Sequence, residues 1–223
     1  MPPELLAFCG VAAILVVTPG PDMALVARNA LAGGRHAVPV TVLGICAGIV
    51  VHALAAAIGL SALLRASATA YAAVKVAGGL YLVYLGVQAW RASFRERGDE
   101  DWMLGPARRL AGGVTREDGG FDGAAAFRQG FLSNVLNPKL VVFFISVLPG
   151  FTSSDGSFLV QVLVLAIVFE ILTLAWLLSY GGAVARVGET MRSPRIRHLL
   201  ERISGTVLVG LGAKLAYDGA REL

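Results

Sequence analysis

Four ionisable side chains interrupt long apolar stretches of this 223-residue chain: Asp22, His52, Lys139 and Glu170. Asp22 closes the run Thr18-Pro19-Gly20-Pro21-Asp22, and Lys139 closes Asn137-Pro138-Lys139. Two prolines around a glycine cannot continue a regular helix, and they leave main-chain carbonyls without partners. Pro21 suits the first position of a new half-helix, with Gly20 as its cap and Asp22 in its first turn. Asn137 is a good N-cap for a second half-helix that starts at Pro138. Lys139 then sits at a helix N-terminus, where the dipole disfavours a cation, so a carboxylate should compensate it. That carboxylate is either Asp22, in an ion pair that pins two segments together, or one carried by a small ligand. Glu170 is a candidate proton-binding group. His52 reads either as a proton relay or as a neutral imidazole hydrogen-bonded between helices.

The elements that must position these groups follow from composition. Hydrophobic residues make up 56% of the chain and charged residues 15%, with a mean hydropathy of +0.71, which excludes an ordinary soluble globule. The apolar residues gather in blocks long enough to cross a bilayer. Hydropathy places spans at about 5–27, 39–64, 70–90, 127–150, 158–180 and 203–221, with five as the alternative count. Most of the 19 Lys and Arg then fall in the first, third and fifth loops: Arg28 and Arg35, Arg91 to Arg128, and Arg186 to Arg202. Positive residues accumulate in cytoplasmic loops, so six spans with both termini outside, periplasmic in a bacterium, are expected. The net charge of +4 and pI near 9.4 reflect this topology and anionic lipid at the membrane edges, not nucleic acid. The N-terminus has no basic leader region, and the first block reads as retained.

The charged, glycine-containing region 91–126 divides the chain into units 1–90 and 127–223, and it reads as a cytoplasmic linker. Each unit has three spans, so related halves must lie in the membrane with opposite orientations. Lys75-Val76-Ala77-Gly78 is similar to Arg202-Ile203-Ser204-Gly205, and Trp90 and Tyr217 follow at equal distances. Each half also opens with a helix broken at proline. The expected fold is an all-α polytopic membrane protein of six transmembrane helices in two inverted three-helix repeats, with helices 1 and 4 broken at Pro, an architecture that recurs in secondary transporters. A charge at the bilayer centre costs about 2.5–3.5 kcal/mol on insertion scales. Packing alone does not require such residues.

Cys9 and Cys46 lie in apolar segments, too far apart to suggest a metal-ligand pair, and read as small packing residues. No metal or cofactor is expected. The chain has no Gly-x-Ser-x-Gly, no His-Glu-x-x-His and no paired intramembrane aspartates, which argues against an intramembrane enzyme. Gly44, Gly48, Gly78, Gly79, Gly86, Gly205, Gly210 and Gly212 allow close helix packing.

Three stretches in order carry a resemblance: Thr18-Pro19-Gly20-Pro21-Asp22; Lys75 to Gly86 with Gly78, Gly79, Tyr81 and Tyr84; and Phe127 to Lys139 with Gly130, Phe131, Asn134 and Asn137-Pro138, followed by Phe143-Phe144 and Pro149. Together they resemble the lysine exporter (LysE/RhtB) family of bacterial amino-acid efflux transporters. The resemblance implies a six-span inner-membrane exporter of amino acids or their analogues, working as a homodimer in exchange for protons. A substrate amino acid is then expected between the repeats. Its carboxylate would meet the half-helix N-termini at Gly20-Pro21 and Pro138 with Lys139, Asn134 and Asn137, and its ammonium would face Asp22 or Glu170. An uncoupled channel or facilitator is the rival reading.

Overall fold

Apolar residues surround nearly every face of these segments, so the helices are buried by one another and by lipid instead of by a single stripe. The computed structural model describes residues 3–94, 114, 120–152, 157–187 and 194–223. Most of the charged linker, with Arg95, Arg97, Arg108, Arg109 and Arg116, lies outside the described residues, as does Arg192.

The described residues are all-helical. They form α1 (Pro3–Val17), α2 (Pro21–Ala66), α3 (Ala68–Ala92), α4 (Gly123–Val135), α5 (Pro138–Val142), α6 (Phe158–Val187) and α7 (Pro194–Glu222). α5 runs on through a π-helical turn at Phe143–Val147 and a tight 3-10 turn at Leu148–Phe151. Both expected breaks are present, one between α1 and α2 and one between α4 and α5. Three helices among the described residues are long and apolar enough to cross a membrane. The α4 and α5 pair, bent by 48°, makes a fourth when counted as one span. By that measure α1 is too short, because its helix stops before Pro19, and α7 is too polar.

One loop expected from hydropathy is a helix instead. Residues 28–38 continue α2, and the chain changes direction within it at Gly34, with φ 65° and ψ −159°. That conformation is essentially restricted to glycine, so one residue replaces a connecting loop. Pro39 lies inside the second segment of α2, five residues after Gly34, and supplies no N–H to the Arg35 carbonyl.

α2 packs along α4 and α6, while α3 runs along α7. At the α2–α4 crossing a Cβ on Gly44 would strike the carbonyl oxygen of Phe127, and one on Gly130 would strike that of Thr41. Backbone therefore lies on backbone there, which fixes the depth at which α4 meets the second segment of α2. Phe143 and Phe144 are buried in a cluster with Phe8, Phe151 and Phe169.

Candidate functional site

The first break follows from what proline lacks. Pro19 and Pro21 carry no N–H, so the carbonyls of Leu15 and Val17 lose the donors that a continuous helix would supply. Thr18 turns back on the end of α1, donating to the Ile14 carbonyl from both its N–H (3.0 Å) and its hydroxyl (2.6 Å). α2 restarts with Ala24 N–H on the Gly20 carbonyl at 3.0 Å, which places Asp22 in its first turn. The orphaned Leu15 carbonyl accepts from Lys139 Nζ at 3.3 Å. A cation from the opposite half of the chain thus replaces the amide that Pro19 cannot provide.

The second break is built alike. α4 stops at Val135, and the Asn137 side chain caps α5 by accepting from the Lys139 N–H at 3.1 Å. The Asn134 carbonyl, four residues before Pro138, accepts from the Asn137 N–H at 2.9 Å and lies 3.0 Å from His52 Nε2. A carbonyl can only accept, so Nε2 carries the proton. In both breaks the carbonyl four residues before the proline is the one reached by a nitrogen side chain from elsewhere.

Asp22 joins the two breaks. Its Oδ1 accepts from Ser133 Oγ at 3.2 Å and its Oδ2 from Asn134 Nδ2 at 3.1 Å. Asn134 Oδ1 is buried with no hydrogen-bond partner, and Asn137 Nδ2 lies near the carboxylate but short of hydrogen-bond geometry. Asp22 and Lys139 are close enough to interact electrostatically, yet the direct ion pair among the described residues is Lys75–Glu222, at 2.7 Å. Each of the two charges is tethered to the protein by other bonds.

These groups face a small open pocket, with about 370 Å³ of empty space when the open solvent at its mouth is included. Thr18, Gly20, Asp22, Asn134 and Lys139 line it, together with Met23, Ile49, Leu140, Phe169, Thr173 and Leu177. Of the residues singled out from sequence, Gly20, Asp22, Asn134 and Lys139 line this pocket. Pro21, Asn137 and Pro138 frame the breaks behind it. Glu170 does not line it; partly buried on α6, it faces the Cys46 thiol of α2. His52 stands behind Asn134, stacked on Phe144 at 6.1 Å. Sequence reasoning missed Ser133 and Thr173, which no local signal marks. It also missed the Leu15 carbonyl, which counting four residues back from Pro19 would have found. Among the described residues no three His, Cys, Asp or Glu side chains cluster as a metal site would require.

A family model described as LysE type translocator matches residues 13–219. The uncharacterized membrane protein YrhP of Bacillus subtilis is 31% identical over 95% of this chain and 97% of its own length. The threonine efflux protein of Salmonella typhi is 27% identical over 91% of this chain and 92% of its own. The homoserine/homoserine lactone efflux protein of the same organism is 25% identical over 91% of each chain. No solved structure matches.

Proposed function

This chain belongs to the LysE type translocator family, and we propose that it exports a small zwitterionic amino acid across the bacterial inner membrane through the pocket between its two helix breaks. The observation that carries this reading is an ammonium and a carboxylate that share one pocket without pairing directly. An amino acid fills that gap with matching charges, its carboxylate toward Lys139 and the N-terminus of α2, its ammonium toward Asp22. The pocket's own charges balance, so a substrate with a neutral side chain fits it best. That side chain lies against Met23, Ile49, Phe169 and Leu177. The names of the threonine and homoserine efflux relatives support the same substrate class, and those names describe efflux, not an enzymatic reaction.

In this proposal the chain crosses the membrane six times, in two inverted three-helix repeats, 1–90 and 127–223, joined by the cytoplasmic linker 91–126. The spans are α1 with the first segment of α2, the second segment of α2, α3, α4 with α5, α6 and α7. Both termini are periplasmic. Reciprocal contacts between α3 and α7 support the repeat. A Cβ on Gly86 would meet the Gly205 carbonyl at 2.6 Å, and one on Gly205 would meet the Gly86 carbonyl at 2.7 Å. Lys75 reaches Glu222 at the far end of α7, while Arg202 reaches Ser93 and Phe94 at the far end of α3.

Export runs by proton antiport in this proposal, with Asp22 and Glu170 as the carboxylates available to carry the proton and His52 holding Asn134 in place. The working unit is a homodimer in lipid. Asp22→Asn keeps the acceptor for Ser133 and removes the charge that meets the ammonium. In reconstituted vesicles this variant is expected to insert normally and to lose threonine counterflow; wild-type rates would remove Asp22 from the mechanism. Flux in the unaltered protein that ignores an imposed pH gradient would replace antiport by an uncoupled facilitator.

A further inference from the structure

Beyond the pocket lies a second polar cluster that substrate binding does not explain. Asn29, Thr41 and Gln129 are all fully buried. Gln129 Oε1 accepts from Arg28 Nη2 at 2.6 Å and from Asn29 Nδ2 at 3.0 Å. Asn29 Nδ2 also donates to Thr41 Oγ1 at 3.1 Å, and Thr41 donates to the Ala37 carbonyl at 2.8 Å. One glutamine oxygen thereby ties α4 to the segment of α2 before Gly34, and through Asn29 to the segment after it.

The cluster stands in a definite place relative to the pocket. Asn29 is two helical turns beyond Asp22 on α2, and Gln129 is one turn before Ser133 on α4. It therefore forms the next rung of the α2–α4 contact, on the side of Arg28 and Arg35, which the charge pattern makes cytoplasmic. Next to the pocket in the other direction are the packed rings of Phe8, Phe143, Phe144, Phe151 and Phe169. Leucines would fill the polar rung without needing partners, and a buried polar network is costly unless every member is satisfied. What it offers is reversibility, because opening it exchanges protein hydrogen bonds for water with little net change, whereas parting phenylalanine rings exposes apolar surface.

We propose that Arg28, Asn29, Thr41 and Gln129 are the cytoplasmic gate of the transport cycle, with Gln129 as the positioning residue that holds it shut. The proposal rests on the reading of the pocket as a transport site, and the structure is accordingly the state closed to the cytoplasm. Its test uses the full chain in vesicles, with Cys9 and Cys46 exchanged for serine and Ala30→Cys as reporter; Ala30 is 2% exposed and adjoins Asn29. A membrane-impermeant maleimide is added from either face.

Gln129→Ala removes two acceptor contacts, so cytoplasmic labelling is expected to speed up about tenfold or more. The KM for L-threonine at that face and the maximal rate should both fall. Gln129→Glu keeps the acceptors and adds a charge for Arg28, so labelling should slow below the parent. Thr41→Val, which removes the acceptor for Asn29 and the local bond to the Ala37 carbonyl with little change of volume but leaves both Gln129 contacts, should give a smaller increase, and it keeps the gate testable if Gln129→Ala fails to insert. Equal labelling in all variants, or faster labelling from the periplasmic face, would overturn the gate. Labelling needs no substrate, so the two readings fail separately. Altered labelling without threonine flux counts against export alone, and threonine flux with unresponsive labelling counts against the gate alone.

Discussion

A proline inside a membrane helix creates an address as well as a bend. The carbonyl four residues earlier loses its donor, and in lipid no water replaces it. Here Lys139 goes to the Leu15 carbonyl before Pro19, and His52 to the Asn134 carbonyl before Pro138. The role of His52 can be read from this geometry. His52→Phe removes one donor and is expected to cost about 0.5–1.5 kcal/mol, seen as a lower thermal midpoint in detergent. His52→Gln retains a donor and should recover part of that loss, with the pH profile of threonine flux unchanged. A profile that loses a limb in the Gln variant would make His52 a proton carrier.

At the scale of the element, the decisive position is Gly34. A loop of ordinary length between the two segments of α2 would let the Asp22-bearing half-helix swing, whereas a single glycine at φ 65° sets its angle to the rest. A Cβ at Gly34 meets nothing within 4 Å, so the effect of Gly34→Ala isolates backbone strain from crowding. The expected cost is about 1–3 kcal/mol, measured by thermal unfolding in detergent. Gly210→Ala is the control: it also meets open space but lies within α7, and there alanine is expected to stabilise by about 0.5–1 kcal/mol. Equal midpoints for the two variants would show that the Gly34 turn is not rigid. Gly44→Ala should be worse than either, because its methyl meets the Phe127 carbonyl and forces α2 off α4.

For the whole molecule, the proposed two-repeat arrangement makes a prediction about sides. Arg35 and Ser93 should lie at the cytoplasmic face, and Ser67 and Thr152 at the periplasmic face, because two crossings separate the members of each pair and one or three separate members of different pairs. Single cysteines at these positions, in a chain lacking Cys9 and Cys46, should be labelled by an impermeant reagent from those faces only. Labelling of Arg35→Cys and Thr152→Cys from the same face would refute the inverted arrangement. The proposed arrangement would also account for the meeting of the two breaks, since a helix interrupted in each half, lying in opposite senses, would turn the open ends of both toward one level of the membrane.

What the sequence determined is local. It contained the apolar blocks, the two proline breaks, the N-cap at Asn137 and the ionisable groups too costly to be accidental, because each of these depends on a residue and its near neighbours. It also suggested the wrong connection at 28–38, since hydropathy registers a few polar residues as a loop and cannot register that Gly34 alone makes the turn. The tertiary structure decided who meets whom. Asp22 lies with Ser133 and Asn134, more than 110 residues away, and Lys139 with the Leu15 carbonyl. Glu170, equally central in its own helix, is turned toward Cys46 and away from the pocket. Such contacts depend on the rotation and depth of each helix, which backbone approaches such as Gly44 on Phe127 set, and no local pattern encodes a rotation.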